Sequence, residues 1–454
     1  MKSSNLAKLL IAGLVFSVSS LGAQNSEILD SYIRTGLESN LALRQQQLDL
    51  NKAQEAIRQS RALFYPTLQF NANYTRATGG RSIDIPVGDL LNPVYSTLNL
   101  ITQTNAFPTI SNENVQFLPD DFHETKIKVA YPLFNSDLRY NRQIKTQLYE
   151  SKAAQKSAYE HELRYRITEA YLQYLQSLEA EKIWQHSRDV LVELRRFNES
   201  LVNNQVATKD IVATADNELS KADNELFKLQ QTQQTARAYF NFLINRDLQS
   251  DITVDTSLLR GAAGNYETEE MIRQAFASRY EFNALSAGKN AAETAVKLNA
   301  ANLRIPDFYI GAEAGFQGFG YKFNGEQSYA LAQIGLSYDL FDAGMRKSKT
   351  QEARIEAEVI ETRYQEVRQQ IALEVIDASN SYAAAKHSYE TTQSGLRAAE
   401  ASFRIINNKY RANQALLIEY LDAQNRVTTA QLQVALALTD VLIREAALKK
   451  AAGM

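Results

Sequence analysis

The chain of 454 residues contains no cysteine, one tryptophan and seven prolines. Without cysteine there is no disulfide bond and no thiol chemistry, and we expect no lipid anchor on an N-terminal cysteine. The four histidines are scattered without metal-ligand spacing, and neither a GxxxxGK[ST] loop nor a GxGxxG motif occurs. The sequence therefore predicts a protein that is not an enzyme and uses no metal or other cofactor.

Two further absences concern nucleic acids and membranes. The net charge of −3 argues against a nucleic-acid partner. Beyond the N-terminal segment, no run approaches the ~20 apolar residues that a membrane-spanning helix needs, so any crossing of a bilayer has to use strands. The N-terminal segment has the pattern of a signal peptide, because lysines precede an apolar run over 9–21 and small residues follow it. We expect residues 1–23 to be removed after Ala23.

The distribution of proline favours long helices, because no proline lies in 133–305 or after 306. In 343–412, apolar residues recur in alternating steps of three and four with one extra step of four, which is typical of a coiled coil with a stutter. A similar run occupies 137–203. We expect helices over about 27–63, 137–203, 207–245, 268–302, 343–412 and 416–451. At the polar turns that end the two long helices, Asn204 and Asn413 are expected to adopt the left-handed conformation.

Four segments instead alternate between apolar and polar residues with a period of two, over 67–75, 125–133, 308–316 and 330–340. Their length and pattern suit strands of a transmembrane barrel with the apolar residues outside. A half-buried sheet in a soluble domain is the alternative for any one strand. Four strands cannot close a membrane barrel, since about eight is the minimum, so we expect the sheet to close by oligomerisation.

The chain also contains its layout twice. Residues 40–74 resemble 281–315, and 129–139 resemble 336–346. The predicted organisation is a signal peptide (1–23), a first repeat (24–245), an equatorial connector (246–267) and a second repeat (268–454). Between paired strands, the first link (76–121) reads as a long polar loop and the second (317–328) as a short one, and both are expected to face out of the cell.

With these features the chain resembles the TolC-like outer membrane efflux proteins, also called outer membrane factors. The features that match are the duplicated layout, the Tyr65–Pro66 and Ile305–Pro306 junctions, the Leu133–Phe134 and Leu340–Phe341 turns, and the segment YLDAQ at 420–424. The resemblance implies a mainly α-helical homotrimer in the outer membrane. Each chain would give four strands to one twelve-stranded β-barrel, and long coiled-coil helices would form a tunnel through the periplasm.

The resemblance also implies a function and partners. Such a duct passively conducts substrates to the cell exterior, as part of a tripartite efflux pump or a type I secretion system. Its partners are outer membrane lipid, a periplasmic adaptor (membrane fusion) protein and, through the adaptor, an inner-membrane RND or ABC transporter. The alternatives from the residues are a periplasmic coiled-coil adaptor without its own pore, and an enzyme on a helical scaffold, for which candidate residues are lacking.

The family resemblance places a gate at the two helix turns. In the family, tyrosine, arginine and aspartate side chains there hold the entrance shut, and rings of acidic residues favour cations. Asp210 and Tyr410 match two members of that network, while the arginine position falls on Ala415. Glu419 and Asp422 match the acidic rings. The alternative interpretation is that this acidic pair is merely solvated on one helical face and that Tyr410 is a packing residue.

Overall fold

A computed structural model describes residues 27–260 and 264–454 of the chain. The predicted signal peptide lies outside the described residues, as does part of the predicted connector. The chain forms two compact units. The first comprises the described residues up to Asn51 with Glu150–Ser286 and Thr362–Met454, and the second comprises Lys52–Tyr149 and Ala287–Glu361. Each unit thus combines segments of both repeats, and the division into repeats at 24–245, 246–267 and 268–454 stays a prediction about the duplication.

Two very long helices confirm the prediction from proline spacing. The helix over Ser136–Asn203 has 68 residues and the helix over Met345–Arg411 has 67, and a shorter helix follows each of them. The helices are α1 (Glu27–Ser39), α2 (Leu41–Ala62), α3 (Val87–Thr102), α4 (Ser136–Asn203), α5 (Asp210–Leu243), α6 (Thr268–Ser278), α7 (Tyr280–Asn302), α8 (Met345–Arg411) and α9 (Leu417–Ala451). A short 3₁₀ helix spans Thr256–Arg260.

The predicted single helices over 27–63 and 268–302 are wrong, because each is interrupted once. At the first break, the Asn40 side chain donates to the Leu243 carbonyl at 2.8 Å, and its Oδ1 accepts the Leu43 N–H at 2.9 Å. At Arg279 the backbone is extended, and the buried guanidinium pairs with Glu281 and Glu374. Both breaks are set by tertiary partners, which helical periodicity does not reveal.

The first unit contains three apolar clusters, one formed mainly by the first repeat, one by the second and one by both. Leu163, Ile167, Tyr171 and Phe240 are central to the core of the first repeat. In the second repeat the predicted heptad residues face the core, which contains Ile371, Val375, Tyr382 and Ala385. The seam predicted from the sequence is therefore confirmed as a packing surface. Its small residues let helices approach closely.

The second unit contains a four-stranded antiparallel sheet. In their order across the sheet, its strands are β1 (Thr67–Thr75), β4 (Phe122–Phe134), β5 (Asp307–Phe319) and β6 (Ser328–Ser337). The strand predicted over 330–340 ends early at Ser337, because Arg346 ties the following turn by bonding to Asp342 and to the carbonyl of Asn302. β1 and β6 are the free edges of the sheet.

One face of this sheet exposes apolar side chains, while charged side chains on the opposite face are partly covered. On the apolar face, Leu68 is 72% exposed and Ile334 is 76% exposed. On the opposite face, the Lys126 ammonium lies 2.7 Å from Glu124 and 3.4 Å from Glu313, and the Lys126 and Glu313 side chains are only 19% exposed. Apolar side chains are thus exposed on one face, while on the other face Lys126 and its two glutamate partners partly cover one another.

The first link between paired strands is more ordered than its sequence suggested. The prediction of a long polar loop over 76–121 is wrong, since the segment contains β2 (Ser82–Ile85), α3 and β3 (Glu113–Gln116). Pro93 lies inside α3. The side chains of Asn92 and Asn99 brace the helix by bonding to the backbone at Ile110 and Phe107.

Within the described ranges 27–260 and 264–454, no helix combines the length and the apolar character needed to cross a bilayer. Among the same residues, no cluster of His, Cys, Asp and Glu side chains is arranged to hold a metal ion.

Candidate functional site

The site residues predicted from the sequence lie at two turns, where α4 passes into α5 and α8 passes into α9. Both turns have the same hydrogen bonds. Val206 N–H donates to the Leu201 carbonyl and Gln205 N–H to Val202, as Gln414 N–H donates to Lys409 and Asn413 N–H to Tyr410. This pair of bonds defines the Schellman motif, in which one residue adopts a left-handed conformation. The two repeats therefore end their long helices in the same way.

The left-handed residue was predicted correctly in one turn and wrongly in the other. Asn413 has a φ of 59°, but in the first turn Gln205 takes this role with a φ of 60°. Asn204 instead bonds back through its side chain to the Ser200 carbonyl at 2.8 Å. The apolar Val206 is a signal that could have given the register, because an apolar residue commonly follows the left-handed one in this motif.

Tyr410 is buried between helices of both repeats. Its hydroxyl donates to Asn198 Oδ1 at 2.7 Å, and Asn198 Nδ2 donates to the Ile211 carbonyl at 3.0 Å. This chain of bonds joins α8, α4 and α5. Burial raises the pKa of the Tyr410 phenol above its ordinary value, so the hydroxyl stays protonated and can donate. Sequence reasoning missed Asn198, which is fully buried.

Aromatic rings surround Tyr410. Its ring centroid lies 5.2 Å from that of Tyr420 and 5.8 Å from that of Phe197, and Tyr420 lies 5.4 Å from Phe403. Edge and tilted contacts of this kind add to the stabilisation from apolar burial. Within one chain, Tyr410 is thus a packing residue that fixes the base of both turns.

Asp210 is exposed and occupies the first position of α5. Its carboxylate accepts a hydrogen bond from the Thr208 hydroxyl. A negative charge at this place is favourable, because the first turn of a helix carries free N–H groups and a partial positive charge. Tyr410 and Asp210 therefore have separate partners in the chain, and the structure does not join them into one network.

Glu419 and Asp422 are both exposed in the first turns of α9. Glu419 Oε2 accepts the Leu416 N–H at 2.8 Å, which caps the start of the helix. Asp422 lies 2.9 Å from the Arg426 guanidinium, one helical turn further on. Each carboxylate has a local partner and also faces solvent, so each remains accessible to a cation or to another chain.

Ion pairs fasten α4 to α5 along the same region. Arg195 pairs with Asp216 on α5 and with Glu199 on its own helix, and Arg188 lies 2.6 Å from Asp223. The neighbouring Asp216 raises the pKa of Arg195. These bonds hold the first turn on a braced helix pair, and the sequence did not single out any of their members.

A groove of about 380 Å³ runs beside the aromatic cluster. Its lining combines the rings of Phe197, Phe403 and Tyr420 with the charged groups of Glu193 and Arg411. Aromatic residues and arginine are enriched in protein–protein interfaces, whereas glutamate is depleted there.

Comparison with known proteins places this geometry in context. Residues 271–454 match the family model described as outer membrane efflux protein. Among curated proteins, no sequence matches the chain.

Solved structures match over nearly the whole chain. The outer membrane protein VceC of Vibrio cholerae is 17% identical, with a TM-score of 0.73, covering 94% of this chain and 96% of its own. The MtrE outer membrane channel of Neisseria gonorrhoeae, solved in its open state, is 17% identical with a TM-score of 0.73 and coverages of 94% and 89%. The CmeC outer membrane channel of Campylobacter jejuni is 12% identical with a TM-score of 0.72 and coverages of 100% and 94%.

At these identities the solved structures establish a shared fold, and the family model adds a sequence match over the second repeat. Together they confirm the resemblance that the sequence predicted, to the TolC-like outer membrane efflux proteins.

Proposed function

We propose that the protein is an outer membrane exit duct, which passively conducts substrates from the periplasmic side to the cell exterior. The observation that carries this proposal is the four-stranded sheet, whose apolar face is exposed. A strand face that leaves Leu68 and Ile334 mostly exposed would be unfavourable in water, whereas lipid would cover it. The opposite face, with Lys126 between two glutamates, suits the polar interior of a barrel.

The strand order supports a trimer as the working form. The edge strands β1 and β6 lie at opposite ends of the order β1-β4-β5-β6, and every neighbouring pair is antiparallel. β1 and β6 therefore run in opposite directions, so β1 of one copy can pair with β6 of the next in the same antiparallel manner. Three copies would close a barrel of twelve strands, which leaves no unpaired edge in lipid.

The two turns are proposed as the periplasmic gate and docking end of the duct. Glu419 and Asp422 are exposed in each chain, so three copies around an axis would bring six carboxylates to one opening. Such rings attract cations. Asp210 and the groove beside Tyr410 would offer an adaptor both charged and aromatic contacts. The adaptor would connect the duct to an inner-membrane RND or ABC transporter.

The family match favours this reading over a periplasmic adaptor without a pore, because the matching model describes outer membrane efflux proteins. Membrane fractionation and planar bilayers test the proposal together. We expect the protein in the outer membrane fraction after carbonate washing, and stepwise conductance from the purified protein. The proposal would be contradicted if the protein were released by washing, fractionated with the inner membrane or showed no conductance.

A further inference from the structure

The first link, residues 76–121, presents two apolar faces that no described residue of the chain covers. The ribbon formed by β2 and β3 is one of them. Ile83 lies opposite Val115 and Ile85 opposite Glu113 in the register, and the side chains of Ile83, Ile85 and Val115 are all exposed, so this face is apolar with one carboxylate at its end. The other face of the ribbon is polar, since Asn114 bonds to Ser82 at 3.3 Å and also to Asp84. A two-stranded ribbon is marginal in water, so its apolar face needs a partner.

The second apolar face belongs to α3. The segment that follows the helix covers one side of it, where Asn92 and Asn99 form their hydrogen bonds and Tyr95 packs against Phe107 at 5.6 Å. The other side is a stripe with helical spacing formed by Leu90, Val94 and Ile101, with exposures of 68%, 50% and 71%.

Charge indicates what kind of partner these faces fit. Residues 82–118 contain no lysine and no arginine, while Asp84, Asp89 and Glu113 are acidic. A helix that lies on an anionic lipid surface is normally rich in basic residues. The composition therefore disfavours a membrane surface and favours an apolar protein surface.

The position of the link points to the next copy of this chain. Residues 76–81 connect the ribbon directly to β1, and β1 is a free edge of the sheet. In the proposed trimer that edge is the seam between copies, so the inference rests on the proposed function. The link therefore emerges beside a neighbour.

The dimensions allow neighbouring links to meet. Twelve strands about 4.8 Å apart and tilted by about 40° form a barrel about 24 Å across, so equivalent strands of neighbouring copies are about 20 Å apart. The 16 residues of α3 alone span about 24 Å. A link of this size can bridge the distance to the next copy.

We propose that the ribbon face of one copy (Ile83, Ile85 and Val115) packs against the α3 stripe of the next copy (Leu90, Val94 and Ile101). The contact joins two different surfaces, and a heterologous contact of this kind closes into a ring around a threefold axis. The three links then form an apolar collar at the outer end of the barrel. Each copy uses both of its uncovered faces, and none is left in water.

The absence of native cysteine makes disulfide cross-linking a clean test. The double variant Ile83→Cys with Val94→Cys, oxidised in outer membranes, should give bands of two and three chain masses on a non-reducing denaturing gel. The bands should collapse on reduction. A disulfide within one chain would leave the mass unchanged, and that result would overturn the inference.

A matched control uses the neighbouring residue on the opposite face of β2. Ser82→Cys with Val94→Cys should give few such bands, because Ser82 lies on the polar face. Equal cross-linking in this control would remove the specificity of the face. Cross-linked dimers from Val94→Cys alone would place the α3 stripes against one another and would overturn the proposed pairing.

The assembly itself is measured separately, by the mass of the uncross-linked protein in mild detergent. Trimers without cross-links would reject the collar and leave the proposed duct standing. Absence of trimers would reject both. As a second readout, Val94→Lys should lower the temperature at which trimers dissociate, and Ser96→Lys, placed off the stripe of the same helix, should not. Equal dissociation temperatures for the two lysine variants would contradict the collar.

Discussion

The Tyr410 hydroxyl donates to Asn198 Oδ1 at 2.7 Å, which joins the long helix of the second repeat to that of the first repeat beside both turns. Asn198 is also held by the Ile211 carbonyl. A residue that family resemblance placed in a gate is therefore part of the packing that positions the two turns. The two roles can be separated by experiment.

Removing the Tyr410 hydroxyl should loosen the turns without emptying the core. Tyr410→Phe keeps the ring contacts but leaves buried Asn198 Oδ1 without its donor, at a cost of about 1–3 kcal/mol. We expect a lower melting temperature and faster hydrogen exchange at 201–214 and 408–420. A double-mutant cycle with Asn198→Ala is the control. Additive losses in that cycle would show that the bond contributes nothing.

The acidic pair should set ion preference. Glu419→Gln keeps an oxygen that can accept the Leu416 N–H, and Asp422→Asn removes the second charge, so the helix start is preserved while the charge is lost. Planar bilayers should then show weaker cation selectivity and weaker block by multivalent cations. Glu193→Gln, in the groove beside Tyr410, is the matched control. Unchanged reversal potentials in the double variant would exclude the pair from the filter.

A charge on the outward face of the sheet should oppose insertion. Ile334→Lys places an ammonium where lipid is expected, at a cost of about 2–4 kcal/mol near the midplane. Heat-resistant trimers should become scarce. The adjacent Gln333→Lys, on the opposite face of β6, should assemble normally. If the two variants behave alike on a denaturing gel, the assignment of faces is wrong.

Tyr382 should make the first unit sensitive to alkaline pH. Burial raises the pKa of its phenol to about 12, and its hydroxyl donates to the Gly264 carbonyl at 2.6 Å. Because the pKa is raised in the folded state, its contribution is complete below the unfolded pKa of about 10 and is lost as pH rises towards about 12. Melting temperatures from pH 9 to 12 should fall less steeply in Tyr382→Phe. Parallel curves would contradict this.

The sequence predicted those strands and helices whose apolar residues recur with a regular period. Period-two alternation located the strands, and steps of three and four located α8 with its buried residues Val375 and Tyr382. These patterns are visible in the sequence because each element has one apolar face. The helix breaks at Asn40 and Arg279 were not predicted, since their side chains bond to partners more than 90 residues away in the sequence.

The sequence located the two turns of the candidate site but did not reveal the contacts that their residues make. Asn413 was placed correctly in its turn, whereas Gln205 was missed because asparagine is the better left-handed residue and Asn204 stands beside it. The bond from Tyr410 to Asn198 spans 212 positions of sequence. The helix α3 was missed because the link 76–121 reads as a polar loop, although Pro93 lies inside the helix.

The open four-stranded sheet also has a genetic consequence. In the proposed trimer no single copy forms a pore, since each copy contributes one third of the barrel wall. A chain that folds but carries a defective β6 would spoil every assembly that it joins. If half of the chains in a cell were of that kind and mixed at random, only about one-eighth of the trimers would be intact. Alleles of this sort should be dominant, and simple loss of the chain should be recessive.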